Sequence, residues 1–159
     1  MPVEKITIRS LQTDDIDASR HLFFRAVHQG AASHYTAEQL NAWAPQPPER
    51  NAWEERLQNQ SCFMAVQDGV LIGFMTLTES GYLDLAFVEP KMIGKGIAHQ
   101  IYGALEVFAA SRNLMQLATD ASLVAVPFFT RHGWEVVKNQ TVERSGVTLK
   151  NVSMMKQLT

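Results

Sequence analysis

The run "VEPKMIGKGIAHQIYGALEVFAA", Val88 to Ala110, joins an apolar segment to a long amphipathic one through Gly94-Lys95-Gly96. Glycine takes up left-handed backbone geometry without a steric penalty, so one reading of this run is a turn. The other is an anion site. The first turn of a helix has unpaired N–H groups and a partial positive charge, and glycine lets an anion approach them closely. The pattern is not G-x-x-x-x-G-K-[ST], which disfavours a nucleotide P-loop. Nor is it G-x-G-x-x-G, because His99 stands at the third glycine position.

The flanking sequence decides between the two readings. Upstream, two apolar runs surround Asp68-Gly69, a strong hairpin signal. A second turn, "ESG" at 79–81, leads into an apolar run from Tyr82 to Val88. Three strands in an antiparallel meander are therefore expected before the glycine loop, which is wrong for a Rossmann unit. Downstream, a helix is expected from about Gly96 to Arg112. It is followed by a short buried strand, "MQLATD" (115–120), which should run parallel to the strand before the crossover helix. "VPFFTRHG" reads as a short helix with Pro127 in its first turn and Gly133 as its stop. A last hairpin turns at Ser145-Gly146.

At the N-terminal end, "VEKITIRSL" alternates as a strand does, and "TDDIDASRHLFFRAVHQ" has a helical stripe with Thr13 as N-cap and Gly30 as stop. "YTAEQLNAWAP" is a short helix with Thr36 and Gln39 at capping-box spacing and Pro45 at its end. "PERNAWEERLQNQ" is a third helical segment. The order β-α-α-(α)-β-β-β-α-β-α-β-β implies an α+β fold with a mixed sheet, in a single domain over residues 1–159.

Composition narrows the function. The chain has 159 residues, 46% apolar and 19% charged, as expected for an ordinary globular core. A net charge of −2 argues against nucleic-acid binding through phosphate neutralisation. Cys62 is the sole cysteine, which excludes an internal disulfide; it sits in the apolar run "CFMAV" and reads as a small core residue. His21, His28, His99 and His132 are scattered without ligand spacing, so no metal is expected. No apolar run approaches the ~18 residues of a membrane span and no signal pattern opens the chain, so a cytoplasmic protein with no membrane partner is expected.

The meander ending in "LAFVEP", then "IGKGIA" and a long helix, then a short strand and "SLVAVPFFTRHGW", resembles the GCN5-related N-acetyltransferase (GNAT) superfamily over nearly the whole chain. That form of the second motif, with "HYTAEQLNAWAP", resembles the YafP-like bacterial subgroup. The superfamily phosphate motif is Gln/Arg-x-x-Gly-x-Gly/Ala. Gly96 and Ala98 match it, and Ile93 departs from it at the Gln/Arg position. The resemblance implies a GNAT-like, mostly antiparallel twisted sheet of about seven strands with flanking helices, whose parallel strand pair splays into an acyl-CoA slot. It implies acetyl-CoA as co-substrate. Backbone amides from Gly94, Lys95, Gly96, Ile97 and Ala98 would cradle the pyrophosphate, and Ala86, Phe87 and Val88 would pair with the pantetheine arm. Ser122 falls where many members carry an Asn that contacts that arm. Phe129 falls where members often carry a Tyr that protonates the leaving thiolate, and Phe has no proton to give.

Aminolysis also requires that a proton leave the amine. On the strand 82–88, alternation places Tyr82, Asp84, Ala86 and Val88 on one face. Asp84, then Tyr82, Glu79 and Asp120 are the candidate catalytic groups; Tyr82 occupies a position where some superfamily members place a glutamate base. Asp84 reads equally as a structural, hydrogen-bonded carboxylate. Tyr35 and Trp43, with Asp120 across the slot, are candidates for the acceptor site. Alternatively, Tyr35 is a hydrophobic staple and Trp43 is core. The function implied is an N-acetyltransferase acting on a small-molecule or peptide amine in a ternary complex. A CoA-binding module without catalysis and a plain interaction domain are the alternatives. Dimers are frequent in this superfamily, so a homodimer is one expected assembly.

Overall fold

The computed structural model describes residues 5–158. In chain order the elements are β1 (Thr7–Arg9), α1 (Asp15–Arg25), a π-helical turn (Ala26–Gly30), α2 (Ala37–Trp43), α3 (Arg50–Gln58), β2 (Ser61–Gln67), β3 (Val70–Leu77), β4 (Tyr82–Val88), α4 (Ile97–Ser111), β5 (Gln116–Ser122), α5 (Val126–Arg131), β6 (Glu135–Arg144) and β7 (Val147–Gln157). The strands form a seven-stranded sheet in the order β1-β2-β3-β4-β5-β7-β6. Every neighbouring pair is antiparallel except β4 and β5. This is the mixed α+β architecture expected from the element order. Val3 and Glu4, read above as part of the first strand, lie outside the described residues.

Two apolar layers hold the sheet. On one face Phe74, Leu85 and Leu149 pack with Ile16, Leu22, Trp53 and Leu57 from α1 and α3. On the other, Met75, Leu83 and Met154 pack with Ile97, Ile101 and Leu105 of α4. Asp68 and Gly69 both take positive φ (55° and 71°), the geometry a two-residue hairpin turn requires. The capping box of α2 forms as its spacing indicates: the Gln39 amide N–H donates to Thr36 Oγ1, and the Thr36 N–H donates to Gln39 Oε1.

The start of α1 differs from its sequence reading. Thr13 does not cap it. Asp14 precedes the helix with backbone angles already helical (φ −65°, ψ −19°), whereas a capping residue needs extended geometry. The buried Asp15 carboxylate organises this end instead. It accepts from the Gln12 N–H at 2.8 Å and from Arg9 at 2.6 Å.

A second difference bears directly on the site. Thr76 pairs with Leu85 and Leu77 with Leu83, so Asp84 has no partner across the β3–β4 ladder. This bulge reverses the side-chain alternation of β4. Leu83 packs into the α4 layer, yet Leu85 and Phe87 pack into the α1–α3 layer. Ala86 and Val88 pack with the α4 layer, so they do not share a face with Tyr82 and Asp84, contrary to the alternation expected above. The Leu85 N–H at the bulge donates to the hydroxyl of fully buried Thr76 at 3.1 Å. Thr76→Val keeps the shape and deletes that acceptor, and leaving the buried amide unpaired costs ~1–3 kcal/mol. The midpoint of urea unfolding is expected to fall accordingly; an unchanged midpoint would mean the bulge amide finds another partner.

Candidate active site

β4 and β5 pair only at Tyr82↔Ala118 and Leu83↔Thr119. At that point the Thr119 hydroxyl donates to the Leu83 carbonyl at 2.7 Å, and beyond it the strands part. β5 then stays with β7 in continuous register from Gln116↔Gln157 to Ser122↔Asn151, while β4 stays with β3 through Gly73↔Val88. The backbone edge of β4 at Ala86, Phe87 and Val88 therefore faces the opening without a strand partner. A cleft of about 500 Å³ occupies the fork, lined by both strands and by Tyr35, Trp43 and Phe129. A second hollow of about 620 Å³, beside β1 and the start of β2, touches neither β4 nor β5.

The glycine loop follows β4. Gly94 and Gly96 have φ of 85° and 79°, and a Cβ built on either would meet nothing within 4 Å. The loop thus uses glycine for backbone geometry and leaves open space above it. Gly96 is the N-cap of α4, and no side chain caps that end. The first-turn amides at Ile97, Ala98 and His99 have no carbonyl within the helix to donate to, which is what an anion site needs. Lys95 is exposed beside them. Ile93 is exposed, with its Cδ1 near Gly30 of the π-helical turn. Arg25 and Glu89 tie the end of α1 to the end of β4 with two hydrogen bonds (3.0 and 2.6 Å).

On the α1–α3 face of the cleft the carboxylates differ sharply. Asp84 accepts two hydrogen bonds from Arg56 (2.8 and 2.9 Å) and one from Gln60 (2.7 Å). Burial pushes its carboxyl up, but the Arg56 and Gln60 bonds and the Arg56 charge outweigh this and hold it below the usual carboxylate range. Asp120 accepts from the Tyr82 hydroxyl and from Gln140 Nε2, each at 2.6 Å, and makes no ion pair among the described residues. Burial, followed by the bond to Asp120, pushes the Tyr82 phenol well above its normal range, so it stays protonated. Glu79 is exposed in the turn before β4 and does not line the cleft.

The Tyr35 hydroxyl donates to the Lys150 carbonyl at 2.6 Å and accepts from the Leu123 N–H at 3.0 Å, bracing β7 against the end of β5. Its ring meets Trp43 edge-on at 5.5 Å, so the pair forms one aromatic wall. Ser122 is half-buried in the lining. Phe129 is 2% exposed, packs on Trp134 at 4.8 Å and borders the cleft. Cys62 is buried and its thiol is pushed up to about 12 by burial, which makes it inert near neutrality. Among the described residues no group of three or more His, Cys, Asp or Glu could hold a metal, and no helix is long and apolar enough to cross a membrane. Sequence reading missed Arg56, Gln60 and Gln140. Arg56 and Gln140 are polar residues on an ordinary helix and strand, Gln60 lies in the turn after α3, and only the pairing of distant segments reveals what they touch.

Residues 31–158 match the model of the acetyltransferase (GNAT) domain family. The chain is 33% identical over 152 residues to the uncharacterized N-acetyltransferase YafP of Escherichia coli, covering 96% of each protein. Its structure is similar to that of a GCN5-related N-acetyltransferase from Rhodopseudomonas palustris, with a TM-score of 0.91, 28% identity and 99% of both chains covered. It also shares the fold of the PaiA N-acetyltransferase of Thermoplasma acidophilum, solved with coenzyme A, at a TM-score of 0.75, 18% identity and coverage of 96% and 99%. The chain belongs to the GNAT acetyltransferase family and is an acetyl-CoA-dependent acyltransferase.

The Asp84 pair makes a testable contribution to acid stability. A carboxyl depressed in the folded state stabilises above its unfolded pKa of about 3.9, and that gain is lost as pH falls through the lower folded value. Wild type should therefore lose melting temperature between about pH 5 and pH 2, and Asp84→Asn should show a shallower fall. Parallel curves would mean that solvent screens the pair, since Arg56 is 47% exposed.

Proposed function

We propose that the chain transfers acetyl from acetyl-CoA to a primary amine by direct attack in a ternary complex. The observation that carries this reading is the fork: an unpaired β4 edge, an open cleft and an uncapped glycine loop lie in line along one strand and the helix after it. The Gly94–Ala98 amides suit a pyrophosphate, and the free polar edge of Ala86, Phe87 and Val88 suits the amides of a pantetheine arm. Ser122 borders the same opening. The PaiA protein solved with coenzyme A has this fold.

In the reaction, the amine nitrogen bonds to the thioester carbonyl carbon, the C–S bond breaks, CoA leaves as the thiol, and one proton leaves the nitrogen. Asp84 is a poor recipient, because Arg56 and Gln60 occupy both its oxygens. Tyr82 is held protonated as a donor. Asp120 keeps free lone pairs beside its two neutral donors and has no cation to balance it, so we assign it the role of receiving the amine proton. Tyr82 and Gln140 position it.

Acetyl-CoA should raise the melting temperature, and thiol release followed with DTNB should depend on added amine; the buried Cys62 adds no background. Gly96→Glu adds bulk and negative charge at the loop, with a backbone cost of ~1–2 kcal/mol for a left-handed non-glycine residue. It is expected to abolish acetyl-CoA stabilisation in a still-folded protein. Retained affinity would remove the loop from the site. Asp120→Asn should lower kcat/KM by roughly 10²-fold or more and leave acetyl-CoA stabilisation intact. Unchanged kcat/KM would send the proton elsewhere.

A further inference from the structure

Asn151 stands on β7 directly opposite Ser122 of β5 on one side and Gln140 of β6 on the other. It shares its sheet face with Leu149, which packs in the α1–α3 layer, and it lines the cleft. Its Oδ1 is buried and has no hydrogen-bond partner, and its side chain makes no other hydrogen bond among the described residues. Buried polar atoms in folded proteins are almost always paired, so an orphan at a cleft wall needs a reason. Gln60 also has an unpaired Oε1. There the reason is structural, because its Nε2 is committed to Asp84 and to the Arg56 carbonyl. The Asn151 amide has no such commitment.

The neighbourhood states what would complete it. Gln140, paired across the ladder with Asn151, donates to Asp120, which lies on the same sheet face of β5 two residues from Ser122, the residue opposite Asn151. Lys138, two residues from Gln140 on this face of β6 and across β7 from Asp120, forms no ion pair with that carboxylate among the described residues. Asn151 Oδ1 has no donor, and Asp120, which accepts from Tyr82 and Gln140, makes no ion pair among the described residues. Together they fit a ligand with more than one N–H group and a positive charge.

We propose that Asn151 is a specificity-determining residue for the acceptor: its Oδ1 takes an N–H from a second donor group of a cationic amine whose reacting nitrogen lies beside Asp120. The substrate class is thus a diamine or a similarly donor-rich amine rather than a simple monoamine. This rests on the acetyltransferase reading above.

The test compares 1,3-diaminopropane with propylamine as acceptors, in wild type, Asn151→Leu and Asn151→Asp, with acetyl-CoA stabilisation measured in parallel. Wild type is expected to prefer the diamine by tenfold or more in kcat/KM. Asn151→Leu should erase that preference through a higher amine KM, leave acetyl-CoA stabilisation unchanged, and raise the melting temperature by a few degrees, because an orphaned polar atom is removed. Asn151→Asp, an acceptor at both oxygens, should keep the preference. Equal use of the two amines by wild type, turnover of neither, or a preference that survives in Asn151→Leu overturns the proposal. So does a melting temperature several degrees lower in Asn151→Leu, which would make the residue structural. A rise in acetyl-CoA KM in both variants would also overturn it, assigning the amide to the pantetheine arm. Absence of any acetyl-CoA stabilisation in wild type would instead sink the acetyltransferase reading itself.

Discussion

The hydrogen bond from Thr119 to the Leu83 carbonyl marks where the sheet stops being continuous. Below it β4 and β5 are neighbours; above it each is held by a different partner. A parallel pair that opens like this would normally expose backbone groups to a rival strand or close again to satisfy them. Here neither half is free to move. β5 is zipped to β7 along its whole length and braced by Tyr35, whose hydroxyl reaches both β7 and the chain just after β5. β4 is zipped to β3 and tied at its end to α1 through Arg25 and Glu89. The unpaired edge is thus presented as a fixed surface, which favours binding because little ordering is left to do when a ligand arrives.

The bulge at Asp84 belongs to the same constraint. Without it, the alternation of β4 would carry Tyr82 and Asp84 on the face of Ala86 and Val88, toward α4. With it, Asp84 reaches Arg56 and Gln60 of the α1–α3 side, and Leu85 and Phe87 enter the core beneath Trp53 and Trp43. One extra residue sorts the strand into two halves: a polar start that faces the acceptor side and an end whose backbone faces the slot. Thr76 makes this tolerable by accepting the one amide that the bulge frees.

Much of this was legible in the sequence, and the limits have physical causes. Turn chemistry located the hairpins at Asp68-Gly69 and Ser145-Gly146, because positive φ restricts which residues fit. The glycine loop and its helix were legible for the same reason, and the Thr36–Gln39 box because its partners lie three residues apart. What escaped depends on contacts between distant segments. Thr13 looked like a cap, but the buried Asp15, paired with Arg9 of β1, organises the helix start. The bulge leaves no trace in composition, so strict alternation misplaced half of β4. Ile93 and Phe129 stood out as apolar residues at positions where the superfamily often has polar ones. The structure accounts for Phe129, which is buried against Trp134, but Ile93 is exposed and nothing in the structure explains its apolar side chain.

The two aspartates of the cleft show why residue type alone could not rank them. Asp84 and Asp120 are the same chemical group on the two strands of the fork, each the residue after the last β4–β5 pair, and the sequence ranking favoured Asp84. Arg56 neutralises Asp84 at the cost of both oxygens, which turns it into a strut between α3 and β4. Asp120 receives only neutral donors, Tyr82 and Gln140, which orient it without cancelling its charge. Asp120 is also exposed, so its charge stays available to a ligand at the cleft mouth. The charge that the fold leaves unbalanced is therefore a better guide to the acceptor side than the charge it has paired. The orphaned Asn151 oxygen, one strand across and two residues along from that carboxylate, repeats the same logic with a neutral group.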